Sequence, residues 1–221
     1  SGFGNCDKPL TSLTDHDVYG IPKLLVIGWR GEPGKKDEPQ HVKMGKVQLA
    51  LNEALGLGYA VLPEDPAGAA AAVTQAVETM KKTQAPYALL VKAGTFGKYK
   101  LQKPAAAPYP MSREEAIGAI AQQLGPEATV VCTTGMPSRE LFEHRGRLGQ
   151  DRASDFLTVG SMGHASQIAL GVALHKPGAK VYCLDGDGAM LMHLGGLSTI
   201  GSLAPDNFRH IVLNNGAHDS V

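Results

Sequence analysis

The sequence predicts an α/β protein built on mainly parallel sheets, and three observations carry that reading. Short apolar runs alternate with stretches of helical periodicity along the 221 residues, the pattern of strands joined through covering helices. Two of these runs end in oxygen-bearing residues: Val181-Tyr182-Cys183-Leu184 leads into Gly186-Asp187-Gly188, and Ile211-Val212-Leu213 leads into Asn214-Asn215. Residues 189–204 between them have helical spacing, so both ends belong to one βαβ unit and fall on the same edge of a sheet. A Pro-containing stretch near the middle of the chain divides the pattern into two half-domains.

The elements follow in order. Residues 23–29 are an apolar run, 42–57 have helical spacing and 59–62 make a short strand. Residues 66–83 are Ala-rich and helical, with Asp65 as N-cap and Pro66 at the first helical position. Residues 87–92 form the next strand, closing a first domain over 1–93. Residues 94–110, with Pro104, Pro108 and Pro110 among alanines and lysines, form a linker. The second domain, 111–221, opens with Ser112-Arg113-Glu114-Glu115, a capping box, and a helix to 124. Strands are expected at 129–133, 156–159, 180–184 and 210–213, and helices at 138–145, 164–175 and 189–204. Ser1-Gly2-Phe3-Gly4-Asn5 reads as a Gly-rich loop already under way. With no initiator Met, and with Val221 following Asn215 so closely, the chain is expected to be an internal stretch of a longer polypeptide in which both domains are incomplete.

Composition narrows the function classes. Lys plus Arg and Asp plus Glu balance at 21 each, which argues against nucleic acid or an anionic membrane surface as partner. No apolar stretch reaches the length of a membrane span. Of the three cysteines, Cys132 and Cys183 lie in apolar runs and read as buried thiols, which suits a reducing, cytoplasmic compartment.

The strand ends carry the chemistry. Ligands of such sheets bind outside the carboxyl ends of the strands. A carboxylate and an amide oxygen converging there suit a hard cation such as Mg²⁺. The cation would hold a diphosphate, and the glycines let backbone approach it near a helix N-terminus. A nucleotide-binding Rossmann enzyme fits less well, because Gly186-Asp187-Gly188 continues as Ala189-Met190-Leu191 and not into a third glycine at the required spacing.

Taken together, Gly186-Asp187-Gly188 and Asn214-Asn215 resemble the cofactor signature of thiamine diphosphate enzymes. Further stretches narrow the resemblance: Trp29-Arg30-Gly31-Glu32-Pro33-Gly34, Asp37-Glu38-Pro39-Gln40-His41, Lys92-Ala93-Gly94-Thr95-Phe96, Thr134-Gly135-Met136-Pro137-Ser138-Arg139-Glu140-Leu141 and Gly160-Ser161-Met162-Gly163-His164-Ala165. These are similar to the phosphonopyruvate and sulfopyruvate decarboxylase family. Larger thiamine diphosphate enzymes insert a third domain between the two cofactor domains, and the linker here has no room for another core. The resemblance implies two thiamine diphosphate-binding-type domains, the first binding the pyrimidine and the second the diphosphate. It also implies thiamine diphosphate- and Mg²⁺-dependent decarboxylation of a small anionic 2-oxo acid, with the thiazolium accepting the electrons released with CO₂. Phosphonopyruvate would give phosphonoacetaldehyde. Sulfopyruvate is the alternative substrate, and a non-catalytic subunit of the same fold is the rival from another class.

Roles implied by the resemblance are carried over residue by residue. Asp187 and Asn215 become metal ligands, with the Ala217 carbonyl completing the protein's share, while Asn214 holds the loop. Gly186 and Gly188 lie against the diphosphate, and Thr134 and Gly135 approach the cofactor through backbone groups. Met162 either props the cofactor in its V shape or fills the core as an ordinary Met. His164 and His218 flank the site as acid–base candidates or as surface and capping residues. Arg30 either pairs with an anionic group or makes a structural contact with Glu32, and Gln40 and His41 receive no role. The family's activating glutamate is expected upstream, since residues 1–31 contain no Glu. Residues 1–221 alone are therefore expected to be inactive, and the full-length protein to be a homo-oligomer, a dimer or larger.

Overall fold

The structure is a computed structural model that describes residues 2–99, 109–125 and 127–216. The chain divides into two compact units, Ser1–Gln102 and Lys103–Val221, each built on a parallel sheet.

In the first unit the sheet order is β1 (Leu24–Gly28), β3 (Tyr87–Val91), β2 (Gly58–Val61). β3 is the central strand, and all five of its residues are buried. That is why Tyr87-Ala88-Leu89-Leu90-Val91 reads as a continuous apolar run and not as an alternation. Helix α3 (Pro66–Thr83) lays Ala76 and Met80 on this sheet with Leu62, Tyr87, Leu89 and Val91. It starts where expected: Asp65 Oδ1 accepts from the Gly68 amide at 2.7 Å, and Pro66 occupies the first turn. Helix α2 (Pro39–Ala54) begins earlier than its periodicity suggests, because Pro39 initiates it. The start of the chain is not a loop. Gly2–Asn5 form a 3₁₀ turn and Asp7–Ser12 a short helix, α1.

The Arg30 region is a folding device. The Arg30 guanidinium donates Nε and Nη2 to Asp37 Oδ2 and Oδ1 at 2.9 and 2.6 Å, and the Gly31 and Glu38 amides donate to the same carboxylate. The structural partner of Arg30 is thus Asp37 and not Glu32, which pairs with Lys92 at 3.6 Å. Gly31 (φ +69°) and Gly45 face each other so closely that a methyl on either would collide with backbone of α2 or of the loop. Trp29 Nε1 closes the packing by donating to the Gly45 carbonyl at 2.9 Å. Burial and the nearby Arg30 charge hold the His41 imidazole below its ordinary pKa.

Arg30 holds the Asp37 carboxyl well below the usual carboxylate range. A carboxyl depressed in the folded state contributes stability above its unfolded pKa of about 3.9 and loses it as pH falls toward the folded value. Denaturation followed by the emission of Trp29, the chain's one tryptophan, should therefore show a midpoint that drops as pH falls below about 4. In Asp37→Asn the midpoint should already be lower at neutral pH and should respond less to acid. Parallel pH profiles for the two proteins would remove this role from Asp37.

In the second unit the order is β5 (Asp155–Leu157), β4 (Thr129–Cys132), β6 (Val181–Gly186), β7 (Phe208–Leu213), again all parallel. Helices α4 (Arg113–Gln123) and α5 (Met136–Arg147) cover one face, where Ile117, Ala121 and Leu141 meet Val130, Cys132 and Leu184. Helix α6 (Ala165–His175) covers the other with Ala165, Ala169 and Ala173 against Val131, Val181 and Cys183. The Ser112–Glu115 capping box forms in both directions, at 3.2 and 2.7 Å. The helix expected over 189–204 is two helices, α7 (Asp187–Met192) and α8 (Gly196–Leu203). Gly195 and Gly196 at the junction have low helix propensity, and apolar periodicity passes through such a break without registering it. Among the described residues no helix is long and apolar enough to cross a membrane.

Candidate cofactor site

The strand order locates the site. From β4 the chain moves outward to β5, then returns to the other side of β4 for β6. The carboxyl ends of β4 and β6 therefore flank the topological switch point, where a crevice opens in such sheets. A cleft of about 840 Å³ lies there. Its floor is Thr133, Thr134 and Gly135 after β4, Gly186, Asp187 and Gly188 after β6, and Leu213, Asn214 and Asn215 at the end of β7. Met162 adds an apolar wall, and Tyr109, Met111 and Arg113 line the side formed by the start of α4.

The two halves of the Asp-Gly and Asn-Asn pattern meet at one atom. The Gly216 amide donates to Asp187 Oδ2 at 3.1 Å and to Asn214 Oδ1 at 2.8 Å. Asp187 is thereby held against the loop that carries Asn215, and the Asn214 side chain is spent on that loop. Carboxylate and amide oxygens delivered from adjacent strand ends form a hard-donor set. Two further features suit a polar ligand. Thr133 Oγ1 is buried beside the cleft with no hydrogen-bond partner among the described residues, and such atoms are rare unless something else satisfies them. Gly135 holds φ +96° with open space around its Cα, a conformation and a clearance that a side chain would remove. Its neighbour strand end is locked by Ser138, whose hydroxyl donates to the Thr133 carbonyl at 2.7 Å. On these grounds the residues present fit a cofactor diphosphate with its cation.

The remaining candidates fall in different places. His164 does not line this cleft. It borders a smaller one, of about 300 Å³, with Gln167, His193 and Gly196. Its Nδ1 donates to the Ser161 carbonyl at 3.0 Å, and its ring lies 4.2 Å from that of His193. Ala217 and His218 lie outside the described residues. The fold brings further residues to the cleft that local sequence signals do not mark: Thr133 at the end of a strand run, and Arg113 and Glu140 within local motifs. Arg113 Nε and Nη2 grip Glu140 Oε2 and Oε1 at 2.9 and 2.8 Å across the cleft wall, a bidentate pair between α4 and α5. A shared helix face could have suggested Glu140, but its partner is too distant in sequence for any local signal.

The family described as thiamine pyrophosphate enzyme, C-terminal TPP binding domain, matches residues 133–221, the stretch that supplies every floor residue of the cleft. A phosphonopyruvate decarboxylase of Streptomyces hygroscopicus is 38% identical over the whole of this chain, and one of Streptomyces viridochromogenes 36%. The chain spans 57% of the length of each. A sulfopyruvate decarboxylase subunit beta of Methanocaldococcus jannaschii is 41% identical over 51% of the chain and 56% of its own length. Residues 133–221, which form the cleft floor, are thus similar to the C-terminal TPP binding domain of thiamine pyrophosphate enzymes.

Proposed function

We propose that this chain belongs to a thiamine diphosphate- and Mg²⁺-dependent decarboxylase that converts phosphonopyruvate to phosphonoacetaldehyde and CO₂. The observation that carries the reading is the Gly216 amide bridging Asp187 and Asn214 at the cleft floor. Similarity to phosphonopyruvate decarboxylases along the whole chain supports the substrate. Asp187 and the Asn215 amide would hold the Mg²⁺, with the Ala217 carbonyl as third protein ligand. Gly186, Gly188, Thr134 and Gly135 would present backbone to the cofactor, and Met162 would press against it. When bound, the cofactor supplies the electron sink for decarboxylation. His164 and His218 are the acid–base candidates, and His164 would have to act from the edge of its neighbouring cleft. We further propose a cytoplasmic homo-oligomer, in keeping with the free buried thiols of Cys132 and Cys183.

The test is CO₂ release by the full-length protein from phosphonopyruvate, sulfopyruvate and pyruvate side by side, with cofactor and Mg²⁺ each present or withheld. Turnover of phosphonopyruvate requiring both is expected. Preference for sulfopyruvate would support the second reading, which the Methanocaldococcus relative favours. A protein that binds cofactor and turns over none of the three would sink the assignment. In the same protein, Met162→Ala should slow exchange of the bound cofactor's C2 proton while leaving cofactor affinity nearly unchanged. Loss of stability with normal exchange would return Met162 to a packing role.

A further inference from the structure

Two residues before Asp187, on the same strand, sits a carboxylate that the cofactor signature does not use. Asp185 is fully buried. Its Oδ2 accepts from His210 Nε2 at 3.2 Å, and its Oδ1 accepts from the Gly186 amide at 3.0 Å. His210 lies on β7, paired in register with Cys183, so on the same sheet face as Asp185, and its ring packs toward Phe208, 6.3 Å away. A carboxylate without solvent costs several kcal/mol unless it is well partnered. An apolar residue would serve a parallel strand core better, so packing gives no reason for Asp185 to be there. Its two bonds do. One fixes the first amide of the Gly186-Asp187-Gly188 turn, and the other ties β6 to β7, the strand that carries Asn214 and Asn215.

We propose that Asp185 and His210 are a positioning pair: together they set the turn bearing Asp187 against the loop bearing Asn215, and so preorganise the cation site. This rests on the reading of Asp187 and Asn215 as metal ligands. The tie below the sheet edge complements the Gly216 bridge above it. The adjacent Cys183 also brings its sulfur within 4.8 Å of these donors. Burial pushes its thiol far above the ordinary value, so it stays protonated and is a poor ligand. The cluster is therefore a hydrogen-bonded support and not a second metal centre.

The test is Mg²⁺ affinity of the full-length protein, titrated calorimetrically with thiamine diphosphate present, alongside thermal unfolding. Asp185→Ala should weaken Mg²⁺ roughly 10- to 100-fold, the usual cost of losing a support behind a metal ligand. Asp185→Asn, which can still accept from Gly186 and bond to His210, should restore most of the affinity. His210→Phe keeps the ring packing and removes the donor, and it should weaken Mg²⁺ in the same direction if Asp185→Ala fails to fold. Folded Asp185→Ala and His210→Phe proteins that bind Mg²⁺ like the wild type would overturn the pair alone. A wild-type protein that binds no Mg²⁺ would overturn the metal-site reading and the pair with it. Stoichiometric Zn²⁺ in the purified wild type, lost on Asp185→Ala, would overturn the support role by making the cluster a metal site.

Discussion

Asp187→Ala should abolish Mg²⁺-dependent binding of thiamine diphosphate by the full-length protein. The effect is expected to exceed the roughly 100-fold loss seen when residues behind a ligand are removed, because the substitution takes away the one carboxylate that the described residues place on the cleft floor. The neighbouring cleft acids are already committed: Glu140 to Arg113, and Glu114 to Arg147. Neither can swing to the strand end without abandoning a cation. The fold should survive, since Asp187 is half-buried at the first position of a short helix and the Gly216 amide that it accepts from can turn to water. Calorimetric titration of cofactor at saturating Mg²⁺ reads the result. Wild-type affinity in a folded Asp187→Ala protein would remove Asp187 from the cation site. Asp187→Asn separates charge from geometry: it keeps an oxygen for Gly216 and should bind cofactor weakly but measurably.

What the sequence made legible in this site, it made legible through short-range rules. Buried parallel strands are written as apolar runs, so 181–184 and 211–213 announce themselves, and residues just past their ends are at the sheet edge by geometry alone. Asp65 and Ser112 were readable as caps because capping acts over three residues. The helix break at Gly195-Gly196 was missed because the apolar period continues across it, and only the packing of α7 and α8 reveals the interruption. Partners across long loops were hidden for a different reason. Arg30 had two acids within reach, Glu32 and Asp37, and only the folded turn around Gly31 decides for Asp37, whose carboxylate also collects two backbone amides. Asp185 falls just past the apolar run of 181–184 and His210 opens the strand expected at 210–213; only strand register, which pairs His210 with Cys183, brings the two onto one sheet face. Thr133 is the same case: its side chain matters because nothing among the described residues bonds its hydroxyl, and an absent partner leaves no mark in a sequence.

The second large effect is expected far from the cleft, at Arg145. Its guanidinium Nε lies 2.7 Å from Asp155 Oδ2, and both side chains are 1% exposed. The contact joins the end of α5 to the first residue of β5, an edge strand of three residues. Arg145 Nη1 also donates to Gln150 Oε1 at 3.1 Å, and the Gln150 amide returns a bond to the Arg145 carbonyl at 2.9 Å. Removing one partner of a buried pair leaves the other charged and dry, so Arg145→Ala should destabilise the protein by about 3–5 kcal/mol. Asp155→Leu with Arg145→Met should recover most of that loss, because apolar residues of similar volume replace the pair without stranding a charge. Burial pushes the Asp155 carboxyl above its ordinary value, with Arg145 opposing. A carboxyl raised in the folded state favours folding most below its unfolded pKa and loses that contribution as pH rises through the folded value. Without Arg145 the rise should be larger, so the deficit of Arg145→Ala should be greatest at neutral pH and shrink on acidification toward pH about 4. Urea denaturation of the wild type, the single variants and the double variant across that range measures both the cost and its pH slope. A single-variant loss below about 1 kcal/mol, the ordinary worth of a surface pair, would mean that water reaches this pair and that β5 is held by its neighbours alone.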